Sequence, residues 1–327
     1  TLFRSFSVAA FLFIYDSPKR QMLGSFSVYH VQYGYSFLMQ FCIWRFINML
    51  SYRHSFHAGN PADVLKHLVL AEVLKYQTIK DKPLDYVDTH SGAGFFELAG
   101  SDAQKTQEYL DGIAKLWQHN SEHDALNEYI ELIKSFNSHG NLDFYPGSPK
   151  IAEHFLRRQD NGWFFELHPR DLELLQDNMK GKRSIRVRGE NGFQGLIGLL
   201  PPASRRACVL IDPPYEIKND YDTVVNTLVK AHKRFATGTY MIWYPVVDRE
   251  RIDRMEAGLI ASGMRNIQLF ELATEADTEV HGMTASGMIV INPPWKLKQT
   301  MDAVLPELVS LLSDSSGFYR SEQLVEE

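Results

Sequence analysis

The stretch CVLIDPPYE, residues 208–216, decides the fold. Four apolar residues in the pattern of a fully buried strand run into an aspartate, two prolines and a tyrosine. Pro213 and Pro214 each fix φ at about −65° and carry no N–H, so the chain after the strand is stiff and offers only carbonyl acceptors. Asp212 adds another acceptor. Two acceptors side by side suit an NH₂ group, which has two hydrogens to donate. Engaging both draws the nitrogen lone pair off an aromatic ring and aims it at an electrophile, which is catalysis by position and electrostatics. Tyr215 supplies a flat face for a base to stack on. A base held there must leave its own stack, which a single-stranded or bulged RNA allows most cheaply. Asp212, Pro213, Pro214 and Tyr215 are therefore the expected catalytic group.

Working outward, apolar strand patterns alternate with helical ones. LDYVD (84–88), WFFEL (163–167), SIRVR (184–188), ACVLID (207–212), TYMIWYP (239–245), NIQLFEL (266–272) and GMIVINPP (287–294) read as strands, the last two closing the sheet. NPADVLKHLVLAEVLKYQ (60–77) reads as a helix with Asn60 as N-cap, Pro61 in the first position and Asp63 at the positive helix end. Ser148 and Pro149 look like the same kind of start for a second helix. Helices are also expected over 171–179, 192–200, 222–235 and 249–262. This order predicts an α/β fold: a doubly wound, mostly parallel sheet with right-handed crossovers. Between the first two strands, Leu110, Ile113, Ala114 and Trp117 make one apolar stripe, and Leu126, Tyr129, Ile130 and Ile133 make another. One crossover helix would suffice, so the span of about 101–143 reads as a small helical insertion.

Ligands of such sheets lie beyond the carboxyl ends of the strands. Asp88, Glu166, Asn191 and Asp212 stand there. DTHSGAG (88–94) breaks the first strand into a turn whose Gly92 and Gly94 let backbone approach a ligand. Glu97 stands where a dinucleotide fingerprint wants a third glycine, so a pyrophosphate is disfavoured. A phosphate-free cofactor such as S-adenosylmethionine fits better, with Glu166 accepting from its ribose hydroxyls. A second tetrapeptide, Asn292-Pro293-Pro294-Trp295, also follows an apolar strand. It closes the last strand, whereas strand four lies next to strand one in a doubly wound sheet. The acceptor site is therefore assigned to Asp212 and the segment 292–295 to structure.

A formal charge of −6, 44% apolar and 23% charged residues describe a globular chain without a global basic field. Lys180, Lys182, Arg183, Arg186 and Arg188, with Arg205 and Arg206, form local basic runs that suit phosphate or are solvated faces. Cys42 and Cys208 make no metal or disulfide pattern, which suits a reducing cytoplasm. No apolar run reaches the length of a membrane span. Residues 1–48 are crowded with Phe and Tyr, have Asp16 as their one acid and show no period. They are expected to be a non-native or poorly ordered leader before Met49, the alternative being a short signal peptide.

The motifs MLSYRHSFHAGNPADVLKH, DTHSGAG, YPGSP, ELHP, LIDPPYE, RFATGTYMIWYPV and GMTASGMIVINPPWK together resemble RlmJ, the bacterial 23S ribosomal RNA adenine-N6 methyltransferases, from Met49 to about residue 312. The resemblance implies a class I methyltransferase fold over 49–327 with a helical insertion, and S-adenosylmethionine as methyl donor. It also implies one adenine of 23S rRNA, position 2030, as acceptor, taken from naked or early-assembly RNA. It implies cofactor contacts from His67, His90, Ser148, Glu166, Asn191 and Gly192. It implies Asp212 as catalytic residue, and Tyr52, His54 and Lys66 at the target nucleotide. The family usually has Asp where Asn191 stands, which puts the strength of that cofactor contact in question. Read without the family, Ser148 is an N-cap, His67 a partly buried structural histidine and Lys66 a solvated charge. A soluble cytoplasmic monomer is expected. The rival functions are a DNA adenine-N6 or cytosine-N4 methyltransferase, since Asp-Pro-Pro-Tyr serves all three, and a non-catalytic RNA-binding protein with this fold.

Overall fold

The computed structural model describes residues 53–216, 219–277, 282–313 and 315–327. The expected leader and Tyr52 lie outside the described residues.

Eight strands form one sheet in the order β10-β8-β9-β7-β6-β1-β4-β5. They are β1 (Asp85–Asp88), β4 (Asn161–Phe165), β5 (Ile185–Arg188), β6 (Ala207–Ile211), β7 (Thr239–Val246), β8 (Ile267–Ala273), β9 (Ala285–Ile291) and β10 (Phe318–Val325). The pairs β1·β4, β1·β6, β4·β5 and β6·β7 are parallel; β9 is antiparallel to both β7 and β8, and β10 to β8. Without the edge strand β10, this is a parallel run with one reversed strand, β9, slotted in before the last, the class I methyltransferase arrangement. The expected adjacency holds: Asp88 pairs with Leu210, so the crest of β1 stands beside the start of Asp-Pro-Pro-Tyr.

Two apolar layers cover the sheet. One joins α1 (Pro61–Ile79), α5 (Ser148–Phe155) and α10 (Leu297–Leu312) to Tyr86, Phe164, Leu210 and Met241. The other joins α7 (Gly192–Leu199), α8 (Asp220–Arg234) and α9 (Arg249–Ala261) to Val87, Phe165, Val209 and Ile242. Alternate residues of each strand face opposite layers, as the two-residue period of a strand requires. The helix α6 (Pro169–Asn178) follows β4 and adds Leu175 to the first layer.

Asn60 caps α1 as expected, its side chain accepting from the Asp63 N–H at 2.9 Å. The helix is not the amphipathic one that places His67 only partly inside. Twelve of its residues, Ala62 to Ala71 with Val73 and Leu74, are buried between the sheet and the helices α4 (Asp124–Lys134), α5 and α10. A helix enclosed on all sides buries its polar residues with the rest.

Between β1 and β4 the structure holds a two-stranded ribbon, β2 (Phe95–Glu97) with β3 (Phe144–Pro146), and helical pieces between them. The second expected stripe is one helix, α4. The first is broken into α2 (Ala103–Thr106), a 3₁₀ turn at Glu108–Leu110 and α3 (Ile113–Leu116). Gln107 adopts φ 54°, and Gly112 presses against the chain at Gly59, whose carbonyl would sit 2.0 Å from any Cβ there. The sequence reading also closes the sheet too early. The unassigned α10 and β10 follow, and β10 is the edge strand.

Candidate active site

Parallel neighbours β1, β4 and β6 end side by side and their crests are tied by backbone. The Thr89 N–H donates to the Leu210 carbonyl at 3.1 Å, and the Ser91 N–H to the Phe165 carbonyl at 2.9 Å. Gly92 takes φ +56°, which favours glycine, and a Cβ added to it would touch Phe96 at 3.8 Å and His54 at 3.9 Å. The Gly92 N–H donates to Glu166 Oε2 at 2.8 Å and the His168 N–H to Oε1 at 2.6 Å. Some of Glu166 reaches solvent, yet neighbouring protein crowds it enough that desolvation pushes its pKa up to about 7. Each carboxylate oxygen has a second lone pair for hydroxyls beyond the turn.

Gly192 begins α7 hard against this crest. A Cβ there would lie 1.9 Å from the Thr89 carbonyl oxygen, so only glycine permits the approach. Asn191 before it is the N-cap, accepting from the Gln194 N–H at 3.1 Å, so its role as helix cap stands beside the expected cofactor contact. His90 packs against Phe193 with ring centroids 4.8 Å apart, and burial lowers its pKa to about 3, so it is neutral.

Ser148 is not the N-cap; Gly147 holds that position. Being one residue inside the helix, Ser148 turns its hydroxyl to Asp88 and donates to Oδ2 at 2.7 Å. Asp88, 0% exposed, also accepts from Tyr86 Oη at 3.3 Å. Burial, aided by nearby Asp212, raises its pKa to about 6 against the pull of Ser148. His67 is 1% exposed, with Nδ1 2.7 Å from the Tyr145 hydroxyl, itself 2.9 Å from that of Tyr129. Burial lowers its pKa to about 3. Its Nε2 is buried and has no hydrogen-bond partner among the described residues.

Lys66 is no solvated charge. It is 4% exposed, with Nζ 2.7 Å from Asp212 Oδ2, 2.9 Å from Asp63 Oδ1 and 5.4 Å from the centre of the Trp243 ring. Pairing on both sides is what makes a buried ammonium tolerable. His54, in a 3₁₀ turn at His54–Phe56, lies 2.8 Å by Nε2 from Asp63 Oδ2. Tyr215 adopts φ +52°, a conformation costly for a side chain this large. Its hydroxyl donates to the Trp243 carbonyl at 2.7 Å, and its ring lies 4.5 Å from that of Tyr221.

The second tetrapeptide points elsewhere. Because β9 runs backwards, Asn292 emerges where β7 begins, its amide donating to the Ala236 and Gly238 carbonyls, both at 2.8 Å. Of the basic runs, Arg206 is spent on the Gln77 and Lys82 carbonyls at the end of α1. Lys180, Lys182 and Arg188 have acidic neighbours, Asp177, Glu153 and Glu190, and the guanidiniums of Arg186 and Arg188 lie against Trp163.

A family model described as "Ribosomal RNA large subunit methyltransferase D, RlmJ" matches residues 81–325. Two relatives named "Ribosomal RNA large subunit methyltransferase J" align over most of their length. The Escherichia coli protein is 53% identical over 264 residues, 81% of this chain and 94% of its own. The Haemophilus influenzae protein is 47% identical over 281 residues, 85% of this chain and 100% of its own. The chain belongs to the RlmJ family of ribosomal RNA methyltransferases. The crystal structure of protein LPL1258 from Legionella pneumophila shares the fold, with a TM-score of 0.76 at 35% identity over 82% of this chain and 98% of that one.

Membership of the RlmJ family makes S-adenosylmethionine the methyl donor, and the crest fits it. The orphaned His67 Nε2 wants a polar partner. Glu166 keeps lone pairs for a ribose. His90, Ser148, Glu166 and Gly192, with Asn191 next to it, stand on this crest or in contact with it, whereas His67 neighbours Tyr145 and Asp63. Asp63 and Asp88 bear no local mark beyond their places at a helix start and a strand end. Only the fold brings them against Lys66 and Ser148.

Proposed function

We propose that the protein transfers a methyl group from S-adenosylmethionine to the exocyclic N6 of one adenine in 23S ribosomal RNA, the one at position 2030 that the family resemblance implies. The observation that carries this reading is the juxtaposition of the Asp212–Tyr215 ledge with the glycine turn on adjacent parallel strands, Asp88 opposite Leu210. One methyl donor lying over the turn can then face an amine held on the ledge. The cofactor supplies an electrophilic methyl on a sulfonium. Asp212 accepts from the amine, Tyr215 stacks, and Lys66 and His54 with Tyr52 place the nucleotide. His67, His90, Ser148, Glu166, Asn191 and Gly192 hold the donor. Naked or early-assembly RNA as substrate, a monomeric state and a cytoplasmic setting belong to the same reading. Among the described residues no helix is long and apolar enough to cross a membrane.

The test is tritiated methyl transfer to naked 23S rRNA and to duplex DNA, with nucleoside mass spectrometry of the product. Label in N6-methyladenosine of the RNA, lost in Asp212→Ala with the fold intact, supports the reading. Label in DNA alone, or Asp212→Ala remaining active, refutes it.

A further inference from the structure

Asp63 sits in the first turn of α1, 1% exposed, and the reaction outlined above gives it no task. Its contacts suggest one. Oδ2 accepts from the Gly59 N–H at 2.9 Å and lies 2.8 Å from His54 Nε2. Oδ1 lies 2.9 Å from Lys66 Nζ and 4.0 Å from His67 Nε2. The same Lys66 ammonium lies 2.7 Å from Asp212 Oδ2. One buried carboxylate thus holds two of the residues assigned to the target nucleotide and borders one assigned to the cofactor. It reaches the acceptor aspartate through a single ammonium. Burial alone would raise its pKa, but His54 and Lys66 outweigh that and hold it well below the ordinary 3.8, so it is ionised.

We propose that Asp63 is a positioning residue for methyl transfer, sharing the Lys66 ammonium with Asp212 and fixing His54 from the same pivot. The reasoning is electrostatic. An ammonium has three donors and no acceptor. Held between two carboxylates in a low-dielectric interior, it is claimed by each less strongly than by one alone. With Asp63 uncharged, Lys66 would settle on Asp212 and compete with the amine for the oxygen that must receive it. The loss would fall on the chemical step and spare cofactor affinity. This proposal rests on the adenine reading of Asp212.

The experiment measures single-turnover methyl transfer to 23S rRNA, with S-adenosylmethionine affinity by calorimetry and melting temperature as controls. The variants are Asp63→Asn and Asp63→Glu, each with and without Lys66→Ala. Asp63→Asn is expected to slow transfer on the order of 10²-fold, the usual effect of a misplaced catalytic group. It should leave cofactor affinity nearly unchanged and add little once Lys66 is gone. Asp63→Glu keeps the charge and should recover part of the rate; if Asp63→Asn does not fold, Asp63→Glu alone decides by the same comparison. An equal penalty with and without Lys66, or cofactor affinity falling in step with rate, overturns the proposal. No transfer by the unaltered protein overturns instead the adenine reading, and the role of Asp63 with it.

Discussion

Asp88→Asn should make the protein more stable, by an amount that depends on pH. Asp88 is fully buried, and its pKa rises from the ordinary 3.8 to about 6, first through desolvation. Between those values the folded chain binds more protons than the unfolded one, so stability falls as pH rises through the window. Above pH 6 the full cost is present, about 3 kcal/mol at ~1.36 kcal/mol per pH unit. Asparagine is never charged, and its carbonyl can still accept from Ser148 or the His90 N–H. Without cofactor, the variant should melt about 6–12 °C above the parent at pH 8, at ~2–4 °C per kcal/mol. At pH 5 the gain should shrink to roughly half, because the native carboxyl is then mostly protonated. Saturating S-adenosylmethionine, which brings positive charge to the crest, should narrow the difference at pH 8. Melting curves by circular dichroism at both pH values decide it. A variant that melts no higher than the parent at pH 8, or gains equally at both, would show that Asp88 is not held against its charge.

Gly192→Ala places a methyl 1.9 Å from the Thr89 carbonyl oxygen, so β1 and α7 must part. A loss of about 1–3 kcal/mol and of cofactor binding is expected, read by melting and calorimetry. Asn292→Ala orphans the part-buried Gly238 carbonyl, while the exposed Ala236 carbonyl can turn to water, and should cost about 1–3 kcal/mol in melting while the folded fraction methylates normally. Normal stability with lost transfer would move the acceptor site there. The His57–Glu108 pair, 2.8 Å apart, clasps the segment after Arg53 to the insertion. His57 is raised above 6.5 by Glu108, so its contribution is whole below 6.5 and lost as pH rises through the higher folded value. Glu108 is lowered below 4.5 despite its burial, through His57, so its contribution is whole above 4.5 and lost as pH falls through the lower value. Hydrogen exchange in residues 53–60, corrected for intrinsic rate, should be slowest from about pH 4.5 to 6.5. Glu108→Gln should flatten the profile, and an unchanged profile in that variant would refute the clasp.

The sheet was legible because its strands are buried on both faces and read as apolar runs, and because Asn60, Pro61 and the diproline carry their geometry locally. Gly92 and Asp212 could be related across about 120 residues because strand order in such sheets follows a rule. What escaped depends on contacts distant in sequence. Nothing near Lys66 says that Asp212, 146 positions later, will meet it. The insertion breaks at Gly112 because Gly59 comes against it, which no local pattern encodes. Ser148 looks like a cap from its neighbours alone because its partner, Asp88, ends a strand 60 residues earlier. The stripe Met301, Val304, Leu305, Leu308 carries the period of the helix α10 in its own residues.

The reversal of β9 has a consequence for how such chains are searched. This sequence spells a proline-paired ledge twice, yet the two stand at opposite ends of the strands, one where β6 finishes and the other where β7 begins. Strand polarity, which no tetrapeptide carries within itself, selects which copy stands beside the crest of β1. A scan that scores the letters and ignores the heading of the strand beneath them would rank the two as equals, and mutating the wrong one would yield a fragile protein with its chemistry intact.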